Sequence, residues 1–548
     1  MPNRVSADTV SDLVAGVLAH HVTDIFGVMG NGNAYLLDAL PAHGLTYTPV
    51  RHEAAAVSAA DTYFRVSNRL AAATTTYGPG LTNAITALTE AVQASVPLVL
   101  VAGAPATTGP KPWDVDQLAL ATSIGAKTFT VGADDVEAVT SAAIHYALDH
   151  RQPVIVAIPH DLVTAPATHR EIPVPPRTQP VMPDEDAIAR VAEVIGSARR
   201  LFILAGRGAH LAGASDALGA LAEATGAITG TTALGRGIFP DARFDLGVTG
   251  GFGQHEAMAL IEDADAVLVF GAGLNQFTTR FGRAFGQTAR IVQIDVRDEP
   301  THPAVTDFVR ADARLAAEAL ASRIADRPSE APRWRESVPE LASGALRVRP
   351  SGEERTADGR LDPRIAAARL AELLPEDRVV VSDTGHFIEW ANAYWPVASP
   401  ERMNMLGTAF QSIGLGLPAM VGAAVARPET TIVLSSGDGG MLMSLADLES
   451  AVRVTRRGII VVWNDAAYGA EVHRYGEWGL DRAPMLIAET DFAALAAATG
   501  ARSTVVRRAA DLDALAEWLD TGDDGVFLVD LRVSRSVVAP WVAEAPRD

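Results

Sequence analysis

Short, unbroken apolar runs recur along this chain, and between them lie stretches with helical periodicity. Leu98-Val99-Leu100-Val101 and Val154-Ile155-Val156 are early examples, each close to Gly or Pro. Leu201-Phe202-Ile203-Leu204, Ala266–Phe270 and residues 290–294 repeat the pattern, as do residues 379–381, 431–434 and 459–463. A strand that is apolar on both faces must be covered on both, which points to parallel sheets with crossover helices, such as the amphipathic stretch 135–148. Two segments interrupt the alternation. Residues 165–185 are rich in Pro, and residues 327–360 mix Pro, Gly and charge without periodicity. They divide the chain into 1–165, 185–327 and 360–548, each an ordinary domain size. The expected fold is α/β: three doubly wound, parallel-sheet domains, the first and third similar in plan.

Composition narrows the function classes. With 45 Lys and Arg against 66 Asp and Glu, the 548 residues carry a formal charge of −21. Such a polyanion gains nothing from counterion release, so neither nucleic acid nor an anionic membrane is an expected partner. There is no cysteine, which removes disulfides, thiolate metal sites and cysteine nucleophiles. No apolar run reaches the roughly 18 residues of a membrane helix. Residues 1–20 hold acids and no continuous apolar core, unlike a secretory signal. A cytoplasmic enzyme is expected.

The most informative segment is 431–464. A strand runs into Ser435-Ser436-Gly437-Asp438-Gly439-Gly440, and a helical stretch with Leu445, Leu448, Val452 and Val454 follows. A second strand then ends on Asn464-Asp465, 24 residues (440–463) separating Gly439 from Asn464. One crossover of that length sets two parallel strand ends side by side, where open α/β sheets bind ligands. A carboxylate from Asp438 and an amide oxygen from Asn464 are hard ligands suited to Mg²⁺ or Ca²⁺. The carbonyl of Ala466 could add a third, and phosphate oxygens the remainder. Gly437, Gly439 and Gly440 would let backbone N–H groups approach those phosphates.

This Gly-Asp-Gly…Asn arrangement resembles the cofactor motif of thiamine-diphosphate enzymes. Near the N-terminus, the strand 45–50, Arg51-His52-Glu53, an alanine-rich helix over 54–65 and a loop over Thr76-Tyr77-Gly78-Pro79-Gly80-Leu81-Thr82-Asn83 resemble the pyrimidine-binding domain of acetolactate synthases. The resemblance implies that Glu53 hydrogen-bonds N1′ of the aminopyrimidine and so promotes proton removal from thiazolium C2, with Gly78 and Asn83 nearby. It makes Thr384, Gly385 and His386 diphosphate-side contacts, Ile413 the apolar wedge that keeps the cofactor bent, and the carbonyl of Gln411 the group that holds its 4′-amino group. Tyr468 and Gly469 belong to the same surface. Members of that family join the two halves across a dimer interface, so a homodimer at least, and by the family's habit a homotetramer, is implied.

Around the substrate the resemblance frays. Ala54 stands where acetolactate synthases carry Gln. Lys111-Pro112-Trp113-Asp114-Val115-Asp116-Gln117 replaces a Phe-Gln-Glu segment, which makes Trp113 a candidate pocket residue. After the metal Asn comes Ala467-Tyr468-Gly469-Ala470-Glu471-Val472-His473. Pyruvate-type decarboxylases are similar in placing a glutamate seven residues after that Asn, so Glu471 and His473 are candidates for proton handling. The adjacent histidine pair of those enzymes has no counterpart, and His20-His21 is read as structural. In the central domain, Ala205-Gly206-Arg207-Gly208 and Phe270-Gly271-Ala272-Gly273 could serve FAD, as in some branches, but FAD is not favoured. Asp295 is expected to cap a turn. The activity implied is cleavage beside the carbonyl of a 2-oxo acid, with release of an aldehyde or, by slight preference, ligation to an acceptor carbonyl compound. Alternatives are a lyase acting on 2-hydroxy ketones or on 2-hydroxyacyl thioesters (a CoA substrate would need a basic patch for its phosphates, for which the sequence offers only scattered residues such as Arg280 and Arg283), a flavin-dependent oxidase, and a non-catalytic scaffold.

Overall fold

The structure is a computed structural model and describes residues 8–109, 111–170, 178–325 and 334–545. Three six-stranded, all-parallel sheets carry the fold. The first holds β1 (Asp24–Gly27), β2 (Thr46–Pro49), β3 (Ala72–Thr75), β4 (Val99–Ala104), β5 (Lys127–Thr130) and β6 (Val154–Pro159), in the order β2-β1-β3-β4-β6-β5. The second holds β7 (Leu201–Ala205), β8 (Ile228–Thr231), β9 (Asp245–Val248), β10 (Ala266–Phe270), β11 (Arg290–Asp295) and β12 (Asp307–Arg310), in the order β12-β11-β10-β7-β8-β9. The third holds β13 (Arg378–Ser382), β14 (Met403–Met405), β15 (Thr431–Gly437), β16 (Arg457–Asn464), β17 (Arg502–Val506) and β18 (Gly525–Arg532), in the order β14-β13-β15-β16-β18-β17. Counted within each sheet, the first and third orders are identical, as the repeated pattern suggested. The second has the order of a dinucleotide-binding sheet.

The first and third domains share a core. Helix Glu53–Ser67 is buried at every position from Ala55 to Val66, so it is enclosed on all sides rather than along one stripe. It lies between its own sheet and helix Gly416–Ala426. A Cβ on Gly422 would strike the carbonyl of Ala59, so glycine and alanine let the two backbones approach. Beneath this contact sits an ionic cluster. Arg65 pairs with Asp61 and with Glu90 (3.4 Å) and donates to the carbonyl of Met405 (3.1 Å). Glu90 also accepts the backbone N–H of Ala409 and of Phe410. The first domain thereby holds the loop that leads to Gln411.

Three expectations change. Helix Pro79–Gln93 begins inside the expected loop, because Gly78 in a left-handed conformation (φ 64°) and Pro at the first helical position start it there. The helix after Asp438 is broken into Asp438–Met443 and Leu448–Val454. The segment 327–360 is no free linker. Among its described residues Trp334 and Leu341 are buried against the central sheet, and Arg335 pairs with Glu223 (2.5 Å). In the first linker, residues 171–177 lie outside the described residues. No helix of the described residues is long and apolar enough to cross a membrane.

Candidate active site

Parallel pairing of β15 with β16 sets Gly437 opposite Trp463, so Asp438 and Asn464 leave the sheet edge side by side. Asp438 is 3% exposed and Asn464 wholly buried. Oδ1 of Asp438 accepts the N–H of Gly439 (2.8 Å), whereas Oδ2 has no donor. Asn464 donates through Nδ2 to the carbonyl of Thr490 (3.0 Å) and to Asp530 (2.9 Å). Both partners are acceptors, which fixes the amide orientation and leaves Oδ1 as a second buried oxygen without a donor. Leaving such oxygens bare is costly unless a ligand meets them. Burial pushes the Asp438 carboxyl up, and burial together with Asp438 pushes up Asp465. A cation relieves both. Among the described residues no group of three or more His, Cys, Asp or Glu could hold a metal, and the pair here combines one carboxylate with one amide.

The neighbouring loops complete a concave surface. Buried Asp383, raised to about 6 by burial, accepts the N–H groups of Thr384 (2.8 Å), Gly414 (3.0 Å) and Leu415 (3.4 Å). It thus ties the segment Thr384-Gly385-His386 to the loop bearing Gln411 and Ile413. Gln411 (φ 61°) and Ala466 (φ 58°) are two of seven described non-glycine residues in left-handed backbone. Both were singled out for their carbonyls, and such strain gathers at functional sites. The Ala466 carbonyl already accepts the N–H of Ile487 (3.0 Å), which leaves it one lone pair. Ile413 is half-buried and belongs to no described core cluster. Gly439 is where a Cβ would meet the Tyr468 ring at 2.6 Å.

Two histidines stand beside this surface. Nε2 of His386 accepts the N–H of Ala539 (2.8 Å), so its proton resides on Nδ1 and only that edge remains for a ligand. Its ring lies 4.7 Å from that of His473, whose Nε2 is buried without a partner. Burial lowers both, His386 to about 3. Glu471 is exposed. No sequence motif gave a role to Asp465, Asp530 or Glu90. A buried acid at a strand end was the available signal for Asp530.

The first domain supplies a second group. His52 caps helix Glu53–Ser67 by accepting the N–H of Ala54 (3.1 Å), which sets Glu53 at its first position. Asn83 donates to Oε2 of Glu53 (3.0 Å) in an exposed contact. Gln117 accepts the N–H of Gly78 (2.7 Å) and donates to the carbonyl of Gly103 (2.9 Å), which anchors the segment carrying Trp113. Trp113 itself is 60% exposed. Arg51 donates its backbone N–H to Asp447 of the same chain (2.8 Å). In the central domain Gly206, Gly208 and Gly271 have another use: a Cβ on Gly206 or Gly208 would strike the backbone at Gly271-Ala272, and one on Gly271 the backbone of Gly208 and Ala209. Asp295 accepts the N–H of Arg297 (3.1 Å), a turn cap as expected. Arg280 and Arg283 pair with Glu544.

Residues 8–122, 188–320 and 383–531 match the N-terminal TPP-binding, central and C-terminal TPP-binding domains of thiamine pyrophosphate enzymes. The chain belongs to that family. It is 31% identical over 545 residues to a probable 2-ketoarginine decarboxylase of Pseudomonas aeruginosa, covering 96% of this chain and 94% of the relative. Against a sulfoacetaldehyde acetyltransferase of Rhodobacter capsulatus the identity is 28%, covering 98% and 96%. Against the acetolactate synthase isozyme 3 large subunit of Escherichia coli it is 27%, covering 83% and 82%. A thiamine-diphosphate-dependent 4-hydroxybenzoylformate decarboxylase of Rhodococcus jostii shares the fold, with TM-score 0.78 and 23% identity over 96% of this chain and 99% of that one. The protein is a thiamine-diphosphate enzyme of the 2-oxo acid decarboxylase and acetolactate synthase-like branch.

Proposed function

We propose that this enzyme removes CO₂ from a 2-oxo acid and joins the remaining fragment to a second carbonyl compound, with Mg²⁺ as its metal. The observation that carries the reading is the pair of buried oxygens without donors, Asp438 Oδ2 and Asn464 Oδ1, at neighbouring strand ends. They would hold Mg²⁺ with the Ala466 carbonyl, and diphosphate oxygens would complete the shell. Gly437, Gly439 and Gly440 would face those phosphates, with Thr384, Gly385 and the Nδ1 edge of His386 beside them. Ile413 and the Gln411 carbonyl would fix the bend between the rings, against Tyr468 and Gly469. Bound thiamine diphosphate supplies the carbon nucleophile and the electron sink for decarboxylation.

Glu53 would hold the proton exchanged with the aminopyrimidine, oriented by Asn83. Acid–base work of this kind needs a carboxyl shielded from bulk water, yet the Glu53–Asn83 contact is exposed in the single chain. A second copy covering it would meet that need, which makes the homodimer the working unit and leaves a tetramer open to measurement. Trp113 and Glu471 would then face the substrate. Ligation is favoured over aldehyde release because burial keeps His386 and His473 neutral near pH 7 and Glu471 is open to water. Neither histidine is thereby charged to donate a proton at the cleft. Incubation with thiamine diphosphate, Mg²⁺ and a panel of 2-oxo acids, with and without acceptor carbonyl compounds, should give CO₂ and a ligated product by mass spectrometry. Aldehyde as the sole product would refute ligation, and no CO₂ from any acid would refute the whole reading.

A further inference from the structure

The turn that leads into Glu53 is held by residues of the third domain. Strand β2 ends at Pro49, residues 50–52 turn, and Glu53 opens its helix. The backbone N–H of Arg51 donates to Oδ1 of Asp447 (2.8 Å), 396 residues away in sequence. The carbonyl of Pro49 accepts from Arg453 (2.6 Å), and the Arg51 guanidinium pairs with Glu449 (2.8 Å). All three partners lie within residues 447–453, just after the break in the helical stretch that starts at Asp438.

These contacts are unequal. The side chains of Arg51 and Glu449 are 46% and 41% exposed, and an ion pair so open to water contributes little. Asp447 is only 1% exposed. An acid directly before a helix ordinarily caps it by accepting an N–H of the first turn. Asp447 precedes helix Leu448–Val454 and makes no such bond. Its Oδ1 takes the N–H of Arg51 and the hydroxyl of Ser450 (2.8 Å) instead. Burial pushes this carboxyl up, opposed by the Arg51 N–H, the Ser450 hydroxyl and the nearby His52. Burying a carboxylate is costly, and what this one grips is the backbone two residues before Glu53. Glu53 itself has only an exposed contact with Asn83 to orient its carboxylate.

We propose that Asp447 is a positioning residue for Glu53: by holding the Arg51 N–H it fixes where the helix starts and so where the Glu53 carboxylate lies. The proposal rests on Glu53 being the acid–base group described above. A reacting group misplaced by about 1 Å can lose rate on the order of 10²-fold, so one backbone contact can govern a large kinetic effect.

Two readouts test this. In the cofactor-free protein, deuterium uptake by the amides of residues 50–54, read by mass spectrometry, should rise in Asp447→Ala. It should return toward wild type in Asp447→Asn, whose side-chain oxygen still accepts. In the protein saturated with thiamine diphosphate and Mg²⁺, exchange of the cofactor's C2 proton for deuterium can be stopped with acid and read by NMR. Asp447→Ala should slow it by about tenfold or more, with cofactor affinity by calorimetry kept. Arg51→Pro deletes the N–H and leaves the acid, so it should slow exchange in the same way if Asp447→Ala fails to fold. Added to Glu53→Gln, Asp447→Ala should slow exchange no further, because the group it places is already gone. Exchange at the wild-type rate in the folded variants, or an equal slowing in the Glu53→Gln background, would overturn the proposal. Exchange at the wild-type rate in Glu53→Gln alone would remove Glu53 as the base, and with it the reason for placing it.

Discussion

The first and third domains use one sheet plan, yet they hold their candidate site residues in opposite ways. In the third, Asp438 and Asn464 are sealed at the ends of β15 and β16, and Asp530 and Asp383 fix the groups around them. In the first, Glu53 stands at a helix start, half-exposed, with Asn83 beside it in an exposed contact. The sealed region is preorganised by its own chain and short of positive charge. The open region has its polar partners but lacks cover. One sheet plan can thus prepare the proposed ion site alone, while the proposed base, which must be kept dry, would need another surface.

Four variants test that contrast. The largest effect is expected from Asp438→Ala, which removes a proposed metal ligand. Mg²⁺-dependent binding of thiamine diphosphate, read by calorimetry, should weaken by about a hundredfold or more, and turnover should vanish with it. Glu53→Gln comes next. It should keep cofactor affinity while kcat falls by roughly 10²- to 10⁴-fold, separating the half that holds from the half that activates. Full activity in this variant would remove Glu53 from the role. Glu90→Gln probes the seam between the domains. Loss of charge beside Arg65 and the N–H groups of Ala409 and Phe410 should cost roughly 2 kcal/mol in urea unfolding.

The last variant concerns pH rather than binding or turnover. His386 is held neutral down to about 3, against an ordinary value of 6.5, by burial. As pH falls through 6.5 the unfolded chain takes a proton that the folded chain refuses until about 3. Stability therefore drops across that window. His386→Gln should flatten the slope of Tm against pH there and leave it unchanged above pH 7. A slope equal to that of the wild type would show that His386 is not as sealed as its contacts suggest.

Local chemistry decided what the sequence disclosed. The strands showed themselves because both faces are covered, so residues such as 459–463 are apolar without alternation. The Asp438…Asn464 pair was legible because one crossover unit has a narrow range of lengths. The break after Met443 was not, since Leu445 and Leu448 keep helical spacing across it. Gly78 and Pro79 read equally as loop or helix start, and the positive φ of Gly78, held by its hydrogen bond to Gln117, sets the start there. Segment 327–360 looked like a linker because its anchors, Trp334, Arg335 and Leu341, are scattered among polar residues. Asp530 and Glu90 act through contacts more than sixty and three hundred residues away in sequence, beyond any local pattern.

Mixing two inactive variants, Asp438→Ala and Glu53→Gln, tests most directly whether each active site takes its metal half from one chain and Glu53 from another. After subunit exchange, half of the dimers are hybrids, and each hybrid carries one site free of both substitutions. A site shared between chains should recover about a quarter of wild-type activity. If the mixture stays as inactive as its parents although exchange is shown by mass, Glu53 and Asp438 serve within one chain or not at all, and the account is wrong.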